Sequence, residues 1–388
     1  MAMKMIKKWI ACLMAVGMML SLTACGVSGD QVAVNKPQQK DPDAKKRIAV
    51  SMPTKDLQRW AQDGSNMKAQ LEKQGYDVDI QYANNDIATQ VSQIENMIAV
   101  NPDVLVVASI DGSALGTALQ GAKGLGIPVI SYDRLIMNTD AISYYATFDN
   151  YLVGKTQGQF IVDALEFDNE LVGELQGQYI EDKLDLKNAK GPFNIELFTG
   201  SSDDNNCNYF FGGAMKILQP YIYSGKLVVR SGSTTLAECA TANWSTEEAQ
   251  KRMENILAAY YQDGTKLDAV LSSNDSVANG ITNALVASYK GDFPILTGQD
   301  CDITSVKNII AGKQSMSIFK DTRQLASKVV EMVTAIIEGK EVPVNDTESY
   351  DNGKGIVPTY LCQPVFADQD NYKEVLIDSG YYKESDVK

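Results

Sequence analysis

Asp133 and Arg134 are the neighbouring residues whose chemistry is most informative. They follow residues 127–132, an apolar run typical of a buried parallel strand. Ligands of open α/β sheets bind just beyond the carboxyl ends of such strands. A carboxylate accepts hydrogen bonds and a guanidinium donates several, so this pair suits a polyol such as a sugar. An ordinary salt bridge at a strand end is the alternative, and this fragment alone does not decide between them.

Polar groups also follow other apolar runs along the chain. They are Ser109 with Asp111, residues 203–206, Asn274 with Asp275, Gln299 with Asp300, and Lys320. Each could lie in a solvated loop, and for Asp203 and Asn274 a helix N-cap is a strong alternative. Together they place amides, carboxylates and cations at one edge of each predicted sheet. Two such edges facing each other would form a cleft that binds sugar hydroxyls.

Two tryptophans complete this candidate site. Trp60 lies just after the first predicted strand, and Trp244 follows a loop in the second half. An indole packs well on the apolar face of a pyranose, although core filling is the simpler alternative for each. The sequence contains no histidine, which excludes Ser-His-Asp and Cys-His catalysis. Paired carboxylates remain the common hydrolytic arrangement still possible.

Strands and helices alternate from residue 47 onward, which predicts an α/β fold. Two consecutive βαβ series meet near residues 150–154, and parallel sheets with right-handed crossovers follow from that pattern. A further strand at 315–319 precedes an amphipathic helix at 323–339. Residues 340–388 are expected to cross back between the two lobes.

The N-terminus has the features of a lipoprotein signal peptide. Lys4, Lys7 and Lys8 precede an apolar stretch at 9–22, and small residues precede Cys25. We predict a signal peptide at 1–24, a lipid anchor on Cys25 and a flexible tether at 25–46. A plain secretory signal with an incidental cysteine is the alternative.

The chain is acidic, which bears on its partners. Loss of the three leader lysines lowers the formal charge from −14 to −17. Such a surface argues against nucleic acid or anionic lipid as the partner.

Four further cysteines lie in the exported part of the chain: Cys207, Cys239, Cys301 and Cys362. Their spacing does not suit zinc, and we expect no metal site. One pair could form a disulfide, but the sequence does not indicate which.

Several motifs resemble one family throughout the exported chain. They are residues 52–60 (MPTKDLQRW), 92–97 (SQIENM), 131–136 (SYDRLI), 145–150 (YATFDN), 200–206 (GSSDDNN), 297–300 (TGQD) and 378–383 (DSGYYK). The chain resembles the periplasmic sugar-binding proteins of ABC importers, in the xylose-binding and ChvE-like multiple-sugar-binding branch. The resemblance implies the type I periplasmic-binding fold, with two Rossmann-like lobes and a three-strand hinge. The implied lobes are 47–153 with about 321–350, and 154–320 with about 351–388.

The resemblance also implies a set of sugar ligands. They are Arg59, Trp60, Asp133, Arg134, Asn205, Trp244, Asn274, Asp300 and Lys320, with Lys55 and Asp111 as lesser candidates. No catalytic residue and no cofactor are expected.

The function expected from this resemblance is monosaccharide import. A lipid-anchored monomer on the outer face of the cytoplasmic membrane would capture xylose, glucose, galactose or a similar aldose and deliver it to a membrane permease. A sensor that presents sugar to a chemoreceptor or a sensor kinase differs only in its partner. A glycosidase using Asp133 and Asp300 is a weaker alternative. A sugar-responsive transcription regulator would need an N-terminal DNA-binding helix pair where this chain has its leader.

Overall fold

The structure, a computed structural model, describes residues 44–164 and 191–388. The predicted signal peptide, the predicted lipidation site Cys25 and nearly all of the predicted tether lie outside these residues. Within the described ranges, no helix is both long enough and apolar enough to cross a membrane.

The strands of the described residues are β1 (Arg47–Met52), β2 (Asp77–Tyr82), β3 (Val104–Val107), β4 (Val129–Tyr132), β5 (Tyr144–Phe148), β6 (Phe193–Phe198), β7 (Leu227–Val229), β8 (Ala269–Ser272), β9 (Ile295–Leu296), β10 (Met316–Phe319), β11 (Thr359–Cys362) and β12 (Val365–Asp368). The α-helices are α1 (Gln58–Lys73), α2 (Ile87–Ala99), α3 (Gly116–Gly124), α4 (Asn150–Ala164), α5 (Asn206–Tyr223), α6 (Leu236–Cys239), α7 (Thr246–Tyr260), α8 (Asp275–Ser288), α9 (Ile303–Ile310), α10 (Thr322–Glu338) and α11 (Glu384–Val387). A 3₁₀ turn at Ala242–Trp244 and a π-helix at Lys373–Asp378 complete the elements.

The first lobe is built on a parallel sheet with the strand order β11-β5-β4-β3-β1-β2. All four residues of β3 are buried, as expected for a strand covered on both faces. Val104 and Val106 pack toward α1 and α10, whereas Leu105 and Val107 pack toward α2 and α3. The alternation follows from the two-residue period of a strand. Each apolar run of the first half is therefore a central strand between two helical layers.

The second lobe is built on a parallel sheet with the order β7-β6-β8-β9. Ile195 and Leu197 face one apolar layer, and Phe198 faces the layer formed with α7 and α8. Strand β10 lies beside the continuation of β9, because the Asp300 amide donates to the Ile318 carbonyl at 2.8 Å. β10 also pairs with β12 in an antiparallel ribbon. The predicted two-lobed α/β fold is confirmed.

The chain passes between the lobes after β5, after β10 and after β11. Helix α10 packs on the first sheet, where Leu325, Val329 and Val333 join the core. The sequence predicts that the chain enters the second lobe at about residue 351. The structure differs, because β11 still pairs with β5 in the first sheet. Only from β12 onward does the C-terminal segment lie in the second lobe. A short strand such as 359–362 has no local signal that selects one sheet over the other, so its pairing is decided by the sheets themselves.

The four described cysteines are free and buried: Cys207, Cys239, Cys301 and Cys362. They pack among apolar side chains, and no pair of them forms a disulfide in the described chain. Burial raises the pKa of each thiol, which keeps these groups protonated at neutral pH.

Candidate functional site

A cavity lies where the carboxyl ends of the two sheets face each other. Its walls carry both apolar and charged side chains. The lining residues are Leu57, Arg59, Trp60, Asp133, Arg134, Asp204, Asn206, Phe210, Trp244, Asn274, Ser276, Gln299, Asp300 and Asp302.

Asp133 anchors the wall of the first lobe. It follows β4 directly and adopts φ of 60°, a left-handed conformation that a residue other than glycine seldom takes. Its carbonyl accepts hydrogen bonds from Asn206 Nδ2, the Tyr145 hydroxyl and Thr147 Oγ1 at 2.8, 2.8 and 2.9 Å. These three donors hold the backbone so that the carboxylate lies at the cavity wall.

The Asp133 carboxylate is held in its ionised form. Burial by itself raises the pKa of this carboxyl, but the Arg59 guanidinium and the Lys320 ammonium hold it below its ordinary value. Arg59 NH2 donates to Asp133 Oδ1, and Arg59 Nε donates to Asp63 Oδ2 at 3.1 Å. Asp63 lies one helical turn after Arg59 on α1, so the guanidinium is fixed from both sides.

Arg134 bridges the two lobes. Its Nε atom lies 2.9 Å from Asp204 Oδ2 on the second lobe, and its NH1 donates to the carbonyls of Ser109 and Ile110. The Trp60 ring contacts two guanidiniums, with ring-centroid distances of 4.8 Å to Arg59 Cζ and 5.1 Å to Arg134 Cζ. The indole and both arginines therefore fix one another through cation–π contacts.

The second lobe contributes a cation that is completely buried. Lys320 follows β10, and its Nζ lies 3.2 Å from Asp300 Oδ1 and 3.9 Å from Asp133 Oδ1. The aromatic rings of Phe148 and Phe210 lie within 6 Å of the ammonium. The register of β10 beside the 298–300 segment places Lys320 against Asp300.

Trp244 forms the opposite aromatic wall. It ends the 3₁₀ turn with φ of 56°, and its ring contacts Phe210 edge to face at a centroid distance of 6.1 Å. A Cβ atom on Gly200 would lie 2.1 Å from the indole, so only glycine admits the ring at this place. The indole is both part of the second core and part of the cavity wall.

Five buried polar atoms near the cavity make no hydrogen bond to any described residue. They are Trp244 Nε1, Gln299 Oε1, Asp300 Oδ1, Asp302 Oδ1 and Lys320 Nζ. Buried polar groups without partners are rare, because each loses its bond to water without replacement. Asp300 Oδ1 and Lys320 Nζ form an ion pair at 3.2 Å, so one donor (Trp244 Nε1) and two acceptors (Gln299 Oε1 and Asp302 Oδ1) remain without a partner among the described residues.

Seven of the nine principal predicted residues line the cavity: Arg59, Trp60, Asp133, Arg134, Trp244, Asn274 and Asp300. Lys320 lies directly behind Asp300. Asn205 does not line the cavity. It is half-buried and accepts hydrogen bonds from Asn208 Nδ2, while its neighbours Asp204 and Asn206 face inward.

The two lesser candidates lie elsewhere. Lys55 is exposed, with its Nζ 4.8 Å from the ring centroid of Tyr82. Asp111 accepts a hydrogen bond from the Ser113 amide at 2.7 Å and does not line the cavity. Each lies a few residues after a strand, as the site residues do, so the sequence alone does not distinguish them. In the structure neither side chain lines the cavity.

The N-cap alternatives are decided differently for the two residues. Asn274 Oδ1 accepts from the Val277 amide at 2.9 Å, so Asn274 caps α8 and lines the cavity at the same time. Asp203 is exposed and caps no helix, whereas Asp204 Oδ1 accepts from the Asn206 amide at 2.9 Å.

Asp204, Asn206 and Gln299 also line the cavity, and they belong to the polar clusters at strand ends that the sequence places in the cleft. Sequence reasoning missed four lining residues: Leu57, Phe210, Ser276 and Asp302. Ser276 and Asp302 follow those polar clusters closely, which was the available signal. Within the described residues, no group of three or more His, Cys, Asp or Glu side chains is arranged to hold a metal ion.

Comparison with known proteins identifies the relatives of this chain. A family model described as a periplasmic binding protein domain matches residues 48–166 and 162–341. The chain is 47% identical over 373 residues to the multiple sugar-binding periplasmic receptor ChvE of Rhizobium radiobacter, covering 95% of this chain and 99% of that protein. It is 46% identical over 379 residues to the multiple sugar-binding periplasmic protein SbpA of Azospirillum brasilense, covering 97% of each.

A solved structure gives the same result for the fold. An ABC transporter solute-binding protein from Clostridium phytofermentans, crystallised with β-D-glucose, is 63% identical and superposes with a TM-score of 0.82. The match covers 88% of this chain and 100% of that protein.

Proposed function

This chain belongs to the periplasmic binding protein family, and we propose that it captures a monosaccharide between its two lobes and delivers it to the permease of an ABC importer. The observation that carries the proposal is the cavity between the lobes, which is lined by charged and aromatic side chains of both lobes and by unpartnered polar atoms of the second lobe. The names of the relatives, which are sugar-binding and solute-binding proteins, support it.

The lobes touch directly around the cavity, which supports capture by closure. Asn206 Nδ2 donates to the Asp133 carbonyl at 2.8 Å, and Arg134 pairs with Asp204. On the other side, Gln58 Nε2 donates to the Tyr382 hydroxyl at 2.6 Å, and Gln58 Oε1 accepts from the Ile303 amide at 3.2 Å. Hinge closure would bring these pairs together and exclude water from the sugar.

We propose an aldopyranose such as glucose, xylose or galactose as the ligand. Trp60 and Trp244 would face its apolar C–H surfaces, while Asp133, Asn274, Asp300 and Lys320 would bond its hydroxyls. A sugar that lacks one of these hydroxyls would leave a buried polar group unpaired, at a cost of about 1–3 kcal/mol. Such differences are large enough to set specificity.

We further propose that the protein acts as a monomer at the outer face of the cytoplasmic membrane, anchored by lipid on Cys25. The leader and the small residues before Cys25 support this. Cys25→Ser should release the protein from the membrane fraction into the soluble fraction. Retention of the serine variant in the membrane would contradict the anchor.

A sensory role is the second candidate, because one relative is named a receptor. Capture of the sugar would be the same, and the closed form would dock on a chemoreceptor or a sensor kinase instead of a permease.

We propose that the site is not catalytic. Asp133 is held ionised beside Arg59, and Asp300 lies beside Lys320, so this pair of carboxyls does not provide the acid and base of the glycosidase alternative. Incubation with aryl glycosides should release no phenol above the buffer rate.

The binding proposal is tested by titration calorimetry of the purified protein with D-glucose, D-xylose and D-galactose, each with a thermal melt. At least one should bind and raise the melting temperature, since a ligand of the folded state stabilises it. If none of the aldoses produces heat or a shift, the proposed function is wrong.

A further inference from the structure

Asp302 is a cavity carboxyl whose role neither the sequence motifs nor the lobe contacts explain. It lies two residues after Asp300, at the start of α9, and its side chain caps no helix. Its backbone amide donates to Asp275 Oδ2 at 2.8 Å, which fixes its position on the second lobe. The first lobe lies opposite, because the next amide, that of Ile303, donates to Gln58 Oε1.

The residue as a whole is half-buried, but its Oδ1 atom is buried and has no hydrogen-bond partner among the described residues. Asp300 Oδ1 and Lys320 Nζ make no hydrogen bond either, but they face each other as an ion pair at 3.2 Å. Asp302 Oδ1 is therefore the carboxylate oxygen of the cavity wall that is left without a partner among the described residues, which points to a bound molecule.

Charge balance distinguishes Asp302 from the other lining carboxyls. Asp133 is paired with Arg59, Asp204 with Arg134, and Asp300 with Lys320. Within the described chain, Asp302 has no cation within ion-pair distance, and Asp300 lies close enough to repel it when both are ionised. An unpaired carboxylate enclosed in this way would be unfavourable, so the neutral acid is the form that suits the closed cavity.

We propose that Asp302 enters the closed cleft as a neutral acid and donates its O–H to an oxygen of the bound sugar, so that sugar capture takes up a proton from solvent. This inference rests on the proposed function. It adds a ligand-contacting residue and a pH dependence to that function.

The surrounding groups agree with this assignment. Burial raises the pKa of Asp302 to about 7, the charge of Asp300 raises it as well, and Arg59 on α1 opposes the rise. The other titratable groups that interact with it are Asp275 on α8, the Cys301 thiol and the Tyr382 hydroxyl. In an open cleft, water would solvate the carboxyl and return its pKa toward the ordinary value.

Burial also raises the pKa of Asp63 and Asp275, which are partnered within a single lobe, and that of Asp204, which pairs with Arg134 across the lobes. Asp63 accepts from Arg59 and from the Tyr132 hydroxyl, all in the first lobe. Asp275 accepts from Gln314 Nε2 and Ser317 Oγ in the second lobe. Because closure does not change these contacts, their protonation should be the same in the open and closed forms.

Titration calorimetry with D-glucose, D-xylose and D-galactose near pH 6, in buffers of different ionisation enthalpy, tests the proposal. For the wild-type protein, the dependence of binding heat on buffer should correspond to the uptake of up to one proton. Affinity should fall as pH rises from about 5 to 7, by up to about tenfold per pH unit. Asp302→Asn, whose amide donates in place of the acid, should bind without proton uptake and with affinity independent of pH.

Asp203→Asn is the matched control, because Asp203 is an exposed carboxylate outside the cavity. It should keep the wild-type proton uptake. The proposal is overturned if the wild-type protein binds sugar with no proton uptake, or if Asp302→Asn takes up as many protons as the wild type. The wild-type measurement decides this even if the variant fails to fold. If no tested sugar binds at any pH, the proposed function itself has failed, which is a different result.

Discussion

Three residues of the cavity wall adopt left-handed backbone conformations. Asp133, Trp244 and Asp300 have φ of 60°, 56° and 96°. Each such residue costs of order 1–3 kcal/mol and persists only where the surroundings fix it. Here the fixing contacts are visible, as in the three donors to the Asp133 carbonyl. The strained positions coincide with the side chains that we assign to sugar binding.

Arg134 provides the first test at this scale. Arg134→Ala removes the partner of Asp204 and one neighbour of the Trp60 ring, leaving a buried carboxylate unpaired in the closed form. Loss of one member of such a pair weakens binding by about 2–5 kcal/mol, at least about thirtyfold. Calorimetry measures the affinity, and circular dichroism checks the fold. Arg47→Ala removes an exposed pair with Asp77 and should bind sugar normally. Unchanged affinity of Arg134→Ala would contradict its role.

Gly200 provides the second test, because it determines where the Trp244 ring lies. A methyl group at Gly200 would overlap the indole, so Gly200→Ala should displace the ring and weaken sugar binding by at least about tenfold. The quenching of Trp fluorescence by sugar should change as well. Gly212→Ala is the control, since a Cβ there meets open space on α5 and should be neutral or stabilising. Equal affinities of the two variants would exclude this role of Gly200.

At the scale of elements, Asn274 has two roles: it caps a helix and it lines the cavity. Asn274 caps α8 through its Oδ1, and it lies at the end of β8, where the sheet opens to the cleft. A capping residue at a strand end is held in one rotamer by its own helix. The cap therefore preorganises the side chain for a ligand without further packing.

Two substitutions separate these roles of Asn274. Asn274→Ala should lower the free energy of unfolding by about 1 kcal/mol, because it removes the cap, and should also weaken binding. Asn274→Asp retains a capping oxygen, so stability should be kept while the added charge weakens binding. Chemical denaturation and calorimetry measure the two effects. Asp86→Ala, which removes the cap of α2 far from the cavity, should reduce stability alone. Full affinity in Asn274→Asp would refute a ligand role.

At the scale of the whole molecule, buried carboxyls give the fold its pH dependence. Burial raises the pKa of Asp63 to about 6 and that of Asp275 well above its ordinary value, and both carboxyls are held by contacts that closure does not change. Between their ordinary values near 4 and these values, the folded protein holds protons that the unfolded chain has lost. Their stabilising contribution is therefore present at low pH and decreases as pH rises. Asp133, whose pKa is lowered, stabilises the fold above its ordinary pKa and loses that contribution on acidification.

The sugar-free protein should accordingly melt at a lower temperature at pH 7.5 than at pH 5. Scanning calorimetry across this range measures the change. Asp63→Asn should reduce the difference, because the amide has no proton to lose. A melting temperature that rises steadily from pH 5 to 7.5 would show that the raised pKa values do not control stability.

The sequence by itself determined the α/β class, the two βαβ series and the sheet edge at which the cavity lies. Apolar runs such as 104–107 are unambiguous because a strand covered on both faces must be apolar throughout. Polar residues directly after such runs, Asp133 and Asp300 among them, could then be assigned to the cleft. The resemblance to sugar-binding proteins added the ligand set, and most of that set lines the cavity.

Only the tertiary structure decided which neighbours face inward and which strands belong together. Asp204 and Asn205 precede α5, and the loop that leads into this helix directs Asp204 and Asn206 inward and Asn205 away. The pairing of β11 with the first sheet, the complete burial of Lys320 and the unpartnered Asp302 depend on contacts between distant segments. No local pattern encodes such contacts, because their energies arise only when both lobes are assembled.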